Sequence, residues 1–349
     1  MAALPSGPEE IIELADPRAG LTAFLVIDST RLGPAFGGVR VRAYREERDV
    51  LLDAMDLAAA MTIKAALAGL PCGGGKIVVR KTPALRRGRA FDELGALVRR
   101  LAGRFCVGRD LGATAADLRR LRRATRYAAT EPSRGEGTLG DATARGSVAA
   151  IAAALAFAAR PARTRASSSA RSHTLDGARV AVQGLGAVGL PLAQRLLAAG
   201  ASVFAADPDP RAAARGRALG ARLVTPSRLA ALETDVFVPA AGGGLVDEPF
   251  AARCGARIVC GPANNQLASR PAEELLAQRG ILFVPDALVG AGALIAGALR
   301  HLQGIDDPGA SIDRIGPRVT RLLSESRRTG RSPSETALAI ARRRLQRGR

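Results

Sequence analysis

The sequence predicts an α/β fold in two domains, the second built on a doubly wound parallel sheet, and three observations carry that expectation. Beyond residue 178, short apolar runs alternate with helical patterns, as in successive strand–helix units. One strand–helix junction holds glycines spaced G-x-G-x-x-G. The chain has 349 residues with 47% hydrophobic content, which suits two cores better than one.

The elements follow in order. LTAFLVID (21–28) reads as a strand. ERDVLLDAMDLAAAMTIKAALAG (47–69) repeats apolar residues at helical spacing and stops on glycine. KIVVR (76–80) is a second strand, opening on Lys76 directly behind three glycines. FDELGALVRRLAGR (91–104) and AADLRRLRRATRYAA (115–129) are amphipathic helices. EPSRGEGTLGD (131–141) reads as a loop, GSVAAIAAALAFAA (146–159) as a buried helix and RPARTRASSSARSH (160–173) as an exposed insertion. Then ARVAVQGLGAVG is strand and turn, PLAQRLLAAG helix, ASVFAAD strand and PRAAARGRALG helix. DVFVPAA (235–241), RIVCGPA (257–263) and ILFVPDA (281–287) are further strands, and ETALAIARRRLQRGR is a basic amphipathic helix capped at Ser334.

Charge and cysteine usage narrow the function classes. The formal net charge is +19. Such an excess can mark a nucleic-acid binder, but the arginines are scattered over most segments and aromatic content is 3%. No helix-turn-helix, zinc-finger or RNP pattern occurs, so no specific nucleic-acid partner is expected. Cys72, Cys106, Cys254 and Cys260 have neither CxxC spacing nor neighbouring histidines, which argues for a reduced, cytoplasmic setting with no metal. Residues 1–20 lack the basic start and apolar core of a secretory signal. The apolar run at 287–299 is shorter than the ~20 residues that span a bilayer, so no membrane partner is expected. With only His173 and His301 present, acid–base chemistry falls to Asp, Glu or Lys.

Lysine occurs only at Lys64, Lys76 and Lys81. Wherever this chain needs a generic cation it uses arginine, which marks Lys64 and Lys76 as positions a guanidinium would not serve. An ammonium can lose its proton when buried, whereas a guanidinium effectively cannot.

VAVQGLGAVG sets Gly184, Gly186 and Gly189 after an apolar strand and at the opening of a helix. The first glycine allows the tight turn, the second lets backbone approach a pyrophosphate, and the third allows close helix–strand packing. Leu185, Ala187 and Val188 complete the turn, where the helix N-terminus would meet the phosphate charge. The next strand ends in Asp207, whose carboxylate would bond ribose hydroxyls and would repel a 2′-phosphate, so NAD is favoured over NADP. Ala240 and Ala241, at the end of a later strand, join the expected cofactor set. This half is therefore expected to be a Rossmann NAD-binding domain.

MTIKAALAGLPCGGGKIVV resembles the signature of the glutamate/leucine/phenylalanine/valine dehydrogenase family. LGPAFGGVR (32–40), GRDLGAT (108–114), GPANNQL (261–267) and VPDALVGAG (284–292) extend the resemblance over most of the chain, and the length is closest to the leucine/valine branch. The resemblance implies a substrate-binding and oligomerisation domain over 1–138, an NAD-binding domain over 139–318, and a C-terminal helical segment over 319–349 that can return to the first domain. It implies a homo-oligomer that oxidatively deaminates L-amino acids to 2-oxo acids and ammonium, reversibly.

By position in those motifs, Lys64 matches the lysine that binds the substrate carboxylate, Lys76 the catalytic lysine and Asp110 the acid–base aspartate. Gly37 and Gly38 match substrate-contacting backbone, and glycines 73 to 75 would let substrate lie against the strand. Thr143 and Asn265 match residues beside the nicotinamide. Phe36, Gly108, Leu294 and Gly297 match the lining of the side-chain pocket, which holds no cation for a second carboxylate. Apolar substrates are thus expected, with leucine, valine and isoleucine ahead of phenylalanine. Cys72, beside the lysine but without a histidine partner, reads as packing. One departure stands out: Gly290 occupies a position where the family usually carries asparagine. It motivates an alternative, a catalytically degenerate member that binds nucleotide or amino acid as a structural subunit.

Overall fold

The structure, a computed structural model, describes residues 7–130, 138–159 and 174–348. Most of the expected loop before Thr143 and the expected insertion at 160–173 lie outside the described residues. The chain divides into two compact units, the first comprising Met1–Glu131, Gly297–Asp306 and Ile340–Arg349, the second Pro132–Ala296 and Asp307–Ala339. Residues 297–306, expected in the second domain, belong with the first because Gly297 and His301 lie against Phe36 there.

The first unit contains β1 (Glu10–Asp16), β2 (Leu21–Ser29), β3 (Ala35–Arg42), α1 (Glu47–Leu67), β4 (Gly73–Arg80), α2 (Arg87–Arg100), β5 (Phe105–Arg109) and α3 (Ala115–Ala124). Its sheet runs in the order β1-β2-β4-β3-β5. β2 is antiparallel to both neighbours, whereas β3 is parallel to β4 and β5. Leu21, Ala23, Leu25 and Ile27 enter a core shared with Ile77, Val79 and the apolar faces of α2 and α3. Phe24 and Val26 point the other way and pack with Val78 on Val50, Ala54 and Ala58 of α1. A strand covered on both faces needs no alternation, which is why LTAFLVID reads as one unbroken apolar run. β4 extends three residues further back than that reasoning gave, with Gly73 to Gly75 paired in the ladder.

The second unit contains α4 (Leu139–Ala159), β6 (Arg179–Gln183), α5 (Gly189–Ala198), β7 (Ser202–Ala206), α6 (Pro210–Ala218), β8 (Arg222–Leu223), α7 (Pro226–Ala231), β9 (Thr234–Pro239), α8 (Glu248–Arg253), β10 (Ala256–Cys260), α9 (Arg270–Gln278), β11 (Leu282–Val284) and α10 (Asp286–Val289). The start of α11 (Gly292–Gln303), α12 (Gly309–Asp313), α13 (Ile315–Thr329) and the start of α14 (Pro333–Arg347) complete it. All six strands are parallel, in the order β11-β10-β9-β6-β7-β8. The chain enters at the centre and winds outward in both directions, which is the Rossmann arrangement. Its topological switch point lies between β6 and β9, the strands that precede Gly184 and Ala240.

Two local expectations change. α4 begins at Leu139 rather than 146, so the DATARG segment is helical. α4 is long and apolar enough to cross a membrane by length and composition, yet it packs along α13 and α5 within the unit. The cap of α14 is Ser332 rather than Ser334: the Ser332 hydroxyl accepts the Glu335 N–H at 3.2 Å and the Glu335 carboxylate accepts the Ser332 N–H at 3.2 Å. That reciprocal pair satisfies two otherwise orphaned donors.

Candidate active site

Strand parity places the chemistry of the first unit. Ala35, Val39, Ile77, Phe105 and Val107 enter the core beneath α2 and α3. Phe36, Gly38, Arg40, Gly74, Lys76 and Gly108 therefore share the opposite face, the one covered by α1. Asp110, the residue after β5, follows the same parity and meets Lys76 directly, Nζ to Oδ2 at 2.9 Å. Lys64 lies in the last turn of α1 and is buried, as is Lys76.

The glycines expected to hold substrate against backbone instead make room for the protein itself. A Cβ on Gly74 would strike the Thr62 amide of α1, one on Gly73 the Ser29 carbonyl, and one on Gly75 the Phe105 ring at 2.8 Å. Their role is close packing: α1 sits directly on the strand that carries Lys76. Gly37 is equally constrained, since a Cβ there would strike the Gly75 carbonyl. Gly38 gives passage to Asp110, whose Cβ would lie 3.0 Å from one built on Gly38. Gly108 differs, because a Cβ there meets nothing nearer than the Gly37 carbonyl at 3.6 Å. Space at this face is therefore real at Gly108.

Burial works against the charge on Asp110, but the cations of Lys76 and Arg40 outweigh it and hold the carboxyl at about 2. Burial dominates at Lys76 and pulls its proton affinity below the usual lysine range, even against the attraction of Asp110. Burial pushes the Cys72 thiol up to about 12, so it stays protonated and apolar in behaviour, in line with packing. Arg344 of α14 donates to the carbonyls of Ala66 at 3.2 Å and Leu70 at 3.0 Å. It thereby anchors the C-terminal end of α1 just beyond Lys64.

Sequence reasoning missed four residues of this unit. Arg40 donates Nε to Asp110 Oδ2 at 2.9 Å and reaches Asp53 through Nη1 at 3.3 Å, and Tyr44 donates its hydroxyl to Asp53 at 2.5 Å. His301 lies edge-on to Phe36 with ring centroids 6.2 Å apart, and burial lowers its proton affinity. These contacts join positions far apart in sequence, so no spacing announced them. Gly297 also belongs to this unit, 3.5 Å from the Phe36 ring by a built Cβ, whereas Leu294 belongs to the second unit.

In the second unit the three fingerprint glycines separate by role. Gly184 has φ 95, a left-handed conformation that glycine adopts without strain, and a Cβ there would crowd Ala241 at 2.9 Å. A Cβ on Gly189 would strike the Gly184 carbonyl, so helix and turn are in close contact. A Cβ on Gly186 would meet nothing within 4 Å. This is the pattern a pyrophosphate needs: two glycines spent on geometry and one on access. Asp207 accepts the Leu185 N–H at 2.6 Å and the Asp209 N–H at 2.8 Å, which ties the end of β7 to the turn carrying Leu185, Ala187 and Val188. Ala240 follows β9 and donates its N–H to Gln183 of β6, placing Ala240 and Ala241 beside the same turn.

Asn265 is exposed with φ 52, an unusual conformation for a residue with a side chain, and its N–H is held by the Asp286 carboxylate at 3.0 Å. Thr143 is buried in α4 and gives its hydroxyl proton to the Leu139 carbonyl at 2.9 Å, leaving its oxygen lone pairs as acceptors.

Comparison with known proteins gives a consistent result. Residues 8–132 match the family described as Glu/Leu/Phe/Val dehydrogenase, dimerisation domain, and residues 212–315 match Glutamate/Leucine/Phenylalanine/Valine dehydrogenase. An L-tryptophan dehydrogenase of Nostoc punctiforme is 32% identical over 97% of this chain and 94% of its own length. A leucine dehydrogenase of Geobacillus stearothermophilus is 34% identical over 82% of this chain and 76% of its own. The crystal structure of the Nostoc punctiforme enzyme superposes with a TM-score of 0.83 at 30% identity, covering 98% of this chain and 96% of that one.

Proposed function

This chain belongs to the glutamate/leucine/phenylalanine/valine dehydrogenase family of amino-acid dehydrogenases, and from that premise we propose that it deaminates apolar L-amino acids oxidatively and reversibly with NAD. The balance is L-amino acid, NAD and water giving 2-oxo acid, ammonium, NADH and a proton. The observation that carries the reading is the Lys76–Asp110 pair at 2.9 Å, in which burial lowers the proton affinity of the lysine and the neighbouring cations lower that of the aspartate.

Charge and position assign Lys64 and Asp110, and the lowered proton affinity assigns Lys76. Lys64 supplies the cation for the substrate α-carboxylate. Asp110 takes a proton from the α-ammonium and frees the nitrogen lone pair. Lys76, with its lowered proton affinity, takes the proton of the water that adds to the resulting imine carbon and hydrogen-bonds the oxygen so formed. The open side of Gly186, the packed Gly184 and Gly189, and the Asp207 carboxylate fit a dinucleotide. When bound, its nicotinamide supplies a hydride acceptor for the substrate α-carbon. The Asp207 charge supports NAD over NADP.

Phe36, Gly108, Leu294 and Gly297 are proposed to face the side chain, which favours leucine, valine and isoleucine and rejects glutamate for want of a cation. A second reading, preference for an aromatic side chain, is favoured by the open space at Gly108. The intact Lys76–Asp110 pair supports catalysis over the degenerate alternative. The match to a dimerisation domain supports a homo-oligomer. The test is NADH formation over a panel of L-amino acids with NAD and NADP in parallel. Turnover of glutamate faster than leucine would refute the pocket, preference for NADP would refute the cofactor assignment, and no turnover of any amino acid would refute the activity.

A further inference from the structure

The contacts around Asp110 continue away from the substrate face. Its Oδ2 is shared by two cations, Lys76 Nζ at 2.9 Å and Arg40 Nε at 2.9 Å. Arg40 in turn spans to Asp53 of α1, with Nη1 3.3 Å from Oδ2 and 3.4 Å from Oδ1, and that carboxylate takes the Tyr44 hydroxyl proton. Side-chain exposure is 14% for Arg40 and 24% for each aspartate, so the guanidinium is largely removed from water and gripped at two edges. Burial and Asp53 both push the Tyr44 phenol up, so it stays a neutral donor. Gly38 completes the arrangement: its missing side chain is what lets the Arg109 main chain and the Asp110 Cβ come alongside β3, two residues from Arg40.

The two cations on Asp110 differ in kind. Lys76 has to give up and regain its proton during turnover if it acts as proposed above, and while it is neutral it offers Asp110 no charge. Arg40 never deprotonates at working pH. We propose that Arg40, gripped by Asp53 and Tyr44, is the positioning residue for Asp110: a permanent counter-charge that holds the carboxylate in place whether or not Lys76 carries its proton. This inference rests on the proton-transfer roles assigned to Lys76 and Asp110. The charged groups on this face include Lys64, Asp53 and Glu47 from α1, Asp28 from β2, Arg40 and Arg42 from β3, Lys76 and Arg80 from β4 and Asp110 itself, with Tyr44 following β3.

The sign of the effect is fixed by the charges. Arg40 lowers the proton affinity of Asp110 and also that of Lys76, so its removal raises both. The acid limb of kcat/KM must then move to higher pH. In Arg40→Met we expect a shift of about one pH unit or more and a loss of at least about tenfold in kcat/KM at neutral pH. Arg40→Lys keeps the charge but not the fork, so its limb should stay within about half a unit of wild type while kcat falls. Tyr44→Phe should lower kcat by a few-fold with the limb in place. A parallel measurement, carbon-13 NMR titration of the Asp110 carboxyl assigned with Asp110→Asn, reads the same shift without any turnover. A carboxyl that titrates in Arg40→Met as in wild type overturns the inference, even if activity is lost. An upward shift with wild-type protein inactive on every amino acid would leave the charge relation standing and refute the activity instead. Should Arg40→Met fail to fold, Arg40→Lys and Tyr44→Phe decide the matter: wild-type kcat in both overturns the inference.

Discussion

Lys76 and Asp110 form an ion pair at 2.9 Å, so the surroundings of each are set in part by the other. Replacing Lys76 with Ala removes one of the two cations on Asp110 and the proposed base together. Turnover should fall by at least about 10²-fold, the scale of a lost general base. NAD affinity should stay within about twofold, because the dinucleotide fingerprint belongs to the other unit. Paired turnover and cofactor titrations check this, and equal loss of both would contradict the assigned role. Lys64, Lys76 and Asp110 could be singled out as candidates from the sequence because lysine is rare here and the glycine–lysine segment is distinctive. Arg40 could not, being one more arginine among many, with partners 13 and 70 residues away.

At the scale of elements, helix α1 and strand β4 carry the site between them, and Gly74 sets how close they come. A methyl there meets backbone rather than a movable side chain, so neither element can yield cheaply. Gly74→Ala should destabilise the first unit by ~1–3 kcal/mol and raise KM through displacement of Lys64. Thermal unfolding with substrate kinetics would show both, and a variant with unchanged Tm and KM would mean that α1 is not held at this point. Five of the six strands of the Rossmann half were read from the sequence because they are covered on both faces and are largely apolar, whereas the two-residue edge strand β8 was too short and polar to register. β3 and β5 escaped because AFGGVRVR and FCVGR carry glycine on the face toward α1, joined in β3 by Arg40 and Arg42, which erases the hydrophobic pattern there. The helix start at Leu139 escaped because glycine and threonine weaken the same signal.

Across the whole molecule the net charge of +19 exceeds anything the proposed chemistry requires. Any affinity for duplex DNA should therefore be electrostatic and should drop at least about a hundredfold between ~50 and ~200 mM salt. Binding that survives that change would point to a specific nucleic-acid site. Sequence patterns also did not reveal that residues 297–306 return to the first unit, since an apolar helix looks the same whichever core receives it. The distribution of lysine has a practical corollary. Lys64 and Lys76 are 9% and 5% exposed, while Lys81 is exposed. An amine-acylating ester applied to the native protein should mark Lys81 and, among side chains, little else, whereas the denatured chain should take label at all three lysines. Peptide mass mapping with an arginine-cleaving protease reads the outcome, and native Lys76 acylated as fast as Lys81 would contradict its burial. Because no other side-chain amine exists, a fluorophore or surface tether attached this way would sit at one known address, just past the C-terminal end of β4 and five residues along the chain from Lys76.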